Sequence, residues 1–314
     1  MTVHALLLVA TALHLPNIGE KAVTYATTGS AVRAWLDEHV DSTGTCVLGF
    51  DTETRPNFRK GQVNPPAVVQ LSTMDACLVA QIFVADTYRV GKQKETVQTS
   101  AAQRVSATEV RLALVEVLES SAILKACVSI DDDAIDLWQC WGLEVGGRIE
   151  LGGSGQKWSL ARLLAAANGV ELSKPASVQK SDWAAPLGEK QIAYAAADAW
   201  AGRAVYERLL ELDPGSFSYE ALSQLLAGER GCSHLFAMRT ARQATKAAFS
   251  EAHAALAEEG LPHYRGAAAD NAVLAKRAVR RLSEARGLAA RSLASANLAT
   301  TLPVARVLDP SPPV

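Results

Sequence analysis

Residues 46–54 read Cys46-Val47-Leu48-Gly49-Phe50-Asp51-Thr52-Glu53-Thr54, a short apolar run that ends in two acids. Val47, Leu48 and Phe50 suit the centre of a sheet, and because side chains alternate along a strand, Asp51 and Glu53 leave the same face. Two carboxylates brought together repel each other and lose hydration, so such a pair persists where a cation or a shared proton resolves the conflict. A solvated strand end gives the same pattern. The pair acquires meaning only from what the rest of the chain places beside it.

Two later stretches offer partners. An apolar run over residues 122–130 reads as a buried strand and leads into Asp131, Asp132 and Asp133, a second acidic cluster at a strand end. After Pro186, residues 189–212 read as one long helix on which Tyr194 and Asp198, four positions apart, share a face. Their neighbours Ile192, Ala195, Ala196 and Ala199 are apolar, which favours a buried or cleft-facing acid over a solvated one.

Between these landmarks the pattern is α/β. Residues 23–26 read as an edge strand, and Ser30 as the N-cap of a helix carrying Ala31, Val32, Trp35 and Leu36. Pro65-Pro66 introduces a strand over 67–73, and another follows over 77–84 after a short turn, so with the first acidic strand they form an antiparallel meander. Residues 86–106 are polar and lack a pattern, which reads as a loop or insertion. Helices are expected over 108–118, after the second acidic cluster, and over 158–167, with a short strand over 148–151. Gly152-Gly153-Ser154-Gly155 lacks the lysine and spacing of a P-loop and reads as a turn.

Bulk properties narrow the class. The 314 residues suffice for one large domain with an appendage, and 49% hydrophobic and 20% charged residues are those of an ordinary globular chain. A net charge of -2 argues against indiscriminate coating of nucleic acid, so any such binding needs a local patch. The five cysteines are scattered and lie mostly in apolar runs, with no C-x-x-C pair. They read as reduced, buried side chains and not as a zinc site or a disulfide framework. Residues 5–15 are apolar but lack a preceding Lys or Arg and are too short to span a bilayer, so they read as a first strand or an organellar leader. No other stretch approaches membrane-spanning length. The expectation is a soluble intracellular protein of the nucleus or cytoplasm, or of an organelle if the N-terminus is a leader.

Taken in order, GFDTET, KACVSIDDDAIDL and QIAYAAADAWAG, with KSDWAAPL just before the last, resemble the three acidic motifs of the DEDD superfamily of 3′-to-5′ exonucleases. The Tyr-x-x-x-Asp of the third marks the tyrosine subclass, most similar to the Werner syndrome helicase exonuclease domain and its stand-alone relatives, and more distantly to ribonuclease D. The resemblance covers roughly residues 20–212. It implies a ribonuclease-H-like mixed sheet flanked by helices, and a metal-dependent enzyme that releases nucleoside monophosphates from DNA or RNA 3′ ends. By position it assigns Asp51, Glu53, Asp133 and Asp198 as metal-binding acids and Tyr194 as the residue orienting the attacking water. Asp133 is chosen among its neighbours because the family places the acid three positions after the isoleucine, here Ile130. Two departures stand out: Cys127 and Ser129 occupy positions where relatives commonly have glycine, and the 86–106 segment is long.

The implied chemistry explains the residue types. Hard ions such as Mg²⁺ prefer oxygen ligands, so a two-ion site is built from carboxylates contributed by separate elements, and Mn²⁺ should substitute. For substrate contacts, Arg55, Arg59 and Lys60 follow the acidic strand closely enough to meet phosphates, Phe58 could stack on a terminal base, and Lys180 and Trp183 precede the third motif. A catalytically silent nucleic-acid-binding module with the same fold, and a ribonuclease D-like RNA-processing enzyme, are the alternatives. Oligomeric state is left open. Three segments are expected: residues 1–19, a domain over 20–212, and a helical, basic region over 213–314. The last would contain a hairpin of helices over 235–258 and 271–298, with eight Lys or Arg against three acids over 261–314 and a disordered Pro-rich end.

Overall fold

A computed structural model describes residues 11–40, 46–57, 64–90, 95–152, 158–240 and 243 of the chain. The expectations for residues 1–10, for Phe58, Arg59 and Lys60, for Gly153 to Gly155, for most of the C-terminal hairpin and for the Pro-rich end lie outside them. The chain divides into a unit of residues 1–232 with 299–314 and a unit of residues 233–298. Residues 233–240 of the second are helical. No helix among the described residues is long and apolar enough to cross a membrane.

In chain order the first unit contains β1 (Thr11–Leu15), β2 (Gly19–Ala26), α1 (Gly29–His39), β3 (Val47–Thr54), β4 (Pro66–Ser72), β5 (Ala76–Gln81), β6 (Thr87–Val90), β7 (Glu95–Gln98), α2 (Ala101–Glu119), β8 (Leu124–Cys127), α3 (Ile130–Trp141), β9 (Arg148–Glu150), α4 (Leu160–Asn168), α5 (Ala176–Gln179), α6 (Glu189–Leu212), α7 (Pro214–Phe217) and α8 (Tyr219–Leu226). Seven strands form one mixed sheet in the order β1-β2-β5-β4-β3-β8-β9. The β3-β4-β5 meander is antiparallel as expected, whereas β2 joins β5, and β8 joins β3 and β9, in parallel. Every residue of β4 and β5 is buried, which fits their near-continuous apolar runs and helices on both faces. One face packs against α4 and α6, and the other against α1, α2 and α3.

Several local expectations are corrected. The strand at residues 23–26 is not at the edge, because β1 pairs with it in antiparallel register and takes the edge itself. Thr28, not Ser30, caps α1, its hydroxyl accepting from the Ala31 N–H. The polar 86–106 segment is no loop: it holds the antiparallel β6–β7 hairpin and the first turns of α2, which begins at Ala101 behind a Ser100–Gln103 capping box. The strand expected over 122–130 is only Leu124–Cys127. Ser129 adopts a left-handed conformation, φ 65°, and Ile130 already opens α3, so Asp131, Asp132 and Asp133 occupy a helical first turn. Acids are favoured there by the exposed N–H groups and the helix dipole. Asp133 thus comes to the site from a helix beside β3.

Candidate active site

The site is built at the end of β3, where three elements converge. The first is β3 itself, carrying Asp51 and Glu53 beyond its buried half. The second is α3, whose Asp133 is tied to β3 by a 2.7 Å hydrogen bond donated by the Thr52 hydroxyl, while the Thr52 N–H donates to Asp51 at 2.8 Å. The third is α6, which lies across the sheet. Two glycines let it come close: a Cβ added at Gly49 would sit 1.9 Å from the Ala199 carbonyl oxygen, and one added at Gly202 would sit 2.6 Å from that of Ala126. No side chain larger than hydrogen fits at either point, so the helix backbone rests on β3 and β8, with Tyr194 and Asp198 held on the same buried stretch.

The electrostatics are those of crowded acids. Burial, and then the charge of Asp198, push Asp51 up to about 7, against the opposing pull of Lys174 and the Thr52 N–H. Burial, followed by the charges of Asp51 and Asp198, pushes Glu53 up to about 9. Asp133 is raised by burial and then by Asp51, and Asp198 by burial despite Lys174. Asp198 is 2% exposed, and its Oδ1 makes no hydrogen bond of ordinary geometry, although the Tyr194 hydroxyl is near enough to favour its charge. Four carboxylates with raised proton affinity, one of them with a buried orphan oxygen, favour the arrival of further positive charge. Their hard oxygen donors, contributed by separate elements, fit divalent cations. The Cys127 thiol adds a sulfur: the ligand atoms of Asp51, Cys127 and Asp133 all lie within 4.8 Å of one another.

Burial first, and then the charges of Asp198, Glu53 and Asp51, raise the Tyr194 hydroxyl above its usual range. It remains protonated at neutral pH. Trp183 packs its ring 5.8 Å from that of Tyr194 and is fully buried, its indole N–H donating to the Gln179 carbonyl. The expected substrate contact at Trp183 is therefore corrected: it is a core side chain that backs Tyr194. Arg55 pairs with Asp182 at 2.8 Å, linking the end of β3 to the segment before α6. Lys180 is exposed and caps the C-terminus of α5.

Lys174 was not among the residues singled out from the sequence. Its ammonium lies 2.9 Å from Asp198 Oδ2 and 5.6 Å from the Tyr194 ring centre. Burial lowers its proton affinity, but Asp198, Asp51 and Glu53 outweigh this and raise it overall. Gln70, directly opposite Asp51 across the β3–β4 pair, is a second such residue. It is fully buried, with neither amide atom partnered. Tyr194 also lines a mostly apolar cavity of about 390 Å³, together with Leu13, Pro16, Pro175, Val178 and Ala193 among others.

A mixed sheet with acids gathered at the end of its central strand, crossed by a helix bearing Tyr and Asp, defines a ribonuclease-H-like nuclease domain. The family model for 3′-5′ exonuclease matches residues 23–212, and the chain belongs to that family. A 3′-5′ exonuclease of Arabidopsis thaliana is 29% identical over 187 residues, 56% of this chain and 57% of that protein. The bifunctional 3′-5′ exonuclease/ATP-dependent helicase WRN of Mus musculus is 28% identical over 172 residues, 52% of this chain and 11% of that protein. This chain thus spans little more than half of the first relative and a small part of the second. Among solved structures, the fold is shared with Trypanosoma brucei RNase D in its GMP complex, with a TM-score of 0.51 at 13% identity, covering 68% of this chain and 64% of that one.

Proposed function

We propose that the chain hydrolyses nucleic acid from its 3′ end, one nucleoside monophosphate at a time, at the Asp51–Glu53–Asp133–Asp198 cluster. The observation that carries this reading is the convergence of these acids with Tyr194 from β3, α3 and α6, in a family of 3′-5′ exonucleases. Asp51, Glu53, Asp133 and Asp198 would hold divalent cations, Mg²⁺ with Mn²⁺ as substitute, which when bound supply neutralisation of the phosphodiester charge and a more acidic water.

The chain's own residues do the positioning. Tyr194, kept neutral, donates or accepts a hydrogen bond to aim a water at phosphorus without serving as a phenolate base. Trp183 fixes the ring from behind, so the hydroxyl keeps one direction. Lys174 places a positive charge at Asp198, where a phosphate would approach. The apolar cavity beside Tyr194 is of a size to receive the terminal base. Water adds to phosphorus, the 3′ oxygen of the preceding nucleotide leaves and takes up a proton, and the shortened strand carries a new 3′-hydroxyl.

The test is digestion of matched end-labelled DNA and RNA strands, linear and circular, with Mg²⁺ or Mn²⁺. Mononucleotides should accumulate from linear strands bearing a 3′-hydroxyl, and closed circles should survive. Efficient cutting of circles, or long fragments as first products, would overturn the reading, and the ratio of DNA to RNA rates assigns the sugar preference.

A further inference from the structure

We propose that Cys127 makes the Asp51–Asp133 side of the site a binding position for thiophilic divalent cations, Zn²⁺ and Cd²⁺ among them, in competition with the hard ions that support turnover. This rests on the reading of the acids as a metal site and adds a selectivity that carboxylates alone do not give.

Cys127 ends β8, next to β3 in the sheet, and is 2% exposed. Its thiol donates a 3.4 Å hydrogen bond to the neighbouring Val128 carbonyl, a contact a metal-bound sulfur would give up. Its sulfur stands within 4.8 Å of a carboxylate oxygen of Asp51 and of Asp133. Thr52 fixes one oxygen of each carboxylate, through its N–H to Asp51 and its hydroxyl to Asp133, so the two acids are held in orientation from one residue. Independently, Asp198, whose charge is felt at Asp51, keeps a buried Oδ1 without an ordinary hydrogen bond. The pocket therefore presents one sulfur and two carboxylates to a cation, with a further buried acid, one of its oxygens unpartnered, acting on Asp51.

The donor set decides the class of ion. Zinc binds thiolate sulfur at about 2.3 Å and carboxylate oxygen at about 2.0–2.2 Å, which in a tetrahedral shell puts S and O roughly 3.6 Å apart. Closing from at most 4.8 Å needs a movement of an ångström or so, within reach of side-chain torsions. Mg²⁺ gains little from sulfur, whereas Zn²⁺ and Cd²⁺ gain a strong bond. On binding, the thiol proton leaves to solvent and a sulfur–metal bond forms, with no change of oxidation state.

The experiment uses the full chain and Cd²⁺ alone as probe, reading the thiolate-to-cadmium charge-transfer absorption in the near ultraviolet. One saturable equivalent is expected in the wild type. Cys127→Ala should abolish the band, and Cys127→Ser, which keeps the side-chain size, should abolish it too and weaken Cd²⁺ binding by at least about tenfold. Asp133→Asn should keep the band but weaken affinity, and a Cys46→Ala/Cys140→Ala variant should retain both. A wild-type chain without the band, or an undiminished band in a folded Cys127→Ser chain, overturns the proposal. The band reads ligation, not turnover. A chain that binds Cd²⁺ through Cys127 yet cleaves no nucleic acid therefore refutes the exonuclease reading alone, and an active nuclease without the band refutes only this inference.

Discussion

Two clusters of buried charge lie on the same half of the sheet and are treated in opposite ways. Around β8 and β9, Lys125 and Arg148 are buried but served. The Lys125 ammonium donates to the carbonyls of Val117, Leu118 and Ser120, closing the end of α2. Arg148 pairs with Asp131 and Glu229 and also donates to the Val145 and Arg230 carbonyls. At the end of β3, by contrast, the Lys174 ammonium pairs with Asp198 and acts on Asp51 and Glu53 from farther off, and among the described residues one buried Asp198 oxygen is left over. A completed network holds structure together, and burial can still pull Lys125 down to about 7 without leaving it unpartnered. An incomplete one, held in place by tight packing, is where an added cation would complete the charge balance.

The contrast can be broken most sharply at Asp51. Asp51→Asn should reduce nuclease turnover by more than about 1000-fold, over ~4 kcal/mol of barrier, while the metal-free protein melts no lower than the wild type because a repulsion has been removed. Near-wild-type turnover would end the assignment. Arg148→Met should do the reverse: leaving the half-buried Asp131 and Glu229 without their partner is expected to cost about 2–4 kcal/mol in urea unfolding. An Arg148→Met protein of unchanged stability would remove the distinction between the clusters.

Tyr194→Phe tests positioning apart from ligation. Turnover should fall by roughly 10- to 1000-fold, ~1.4–4 kcal/mol, with calorimetric Mn²⁺ affinity preserved. Lost metal binding would make the tyrosine structural. The last test is in pH. Asp51 and Glu53 hold protons in the folded chain to about 7 and about 9, against ordinary values of 3.8 and 4.5. Their contribution to stability is therefore complete below about pH 4 and is lost as pH rises through the folded values. Metal-free protein should melt higher at pH 5 than at pH 9, with the gap narrowed by Mg²⁺. A melting temperature that rises with pH would contradict the crowding of these acids.

What could be read in advance follows from how local the signals are. The central acidic strand, the meander and α6 announce themselves through apolar runs bounded by Pro and Gly, and α6 begins at Glu189 as its pattern requires. The β6–β7 hairpin does not, because a two-stranded ribbon outside the main sheet needs no alternating apolar face. The start of α2 was written in Ser100 and Gln103, a capping box inside a stretch whose polarity hid it. The early turn at Ser129 is a left-handed residue without glycine, which no propensity foretells. Lys174 meets Asp198 across 24 positions and belongs to no local pattern. Trp183 showed the opposite difficulty: an aromatic near a motif looks the same whether it faces a base or the core.

The contact of Gly49 with Ala199 works as a mechanical stop. A helix cushioned by side chains can drift as those side chains repack, but one seated backbone against backbone has a fixed height above the sheet. Tolerance to change is therefore uneven along α6. The outer face can vary freely, while a single methyl at Gly49 or Gly202 would jack the helix up and carry Asp198 away from Asp51 without touching either acid. Much of the accuracy with which the two carboxylates are placed is set by two hydrogen atoms.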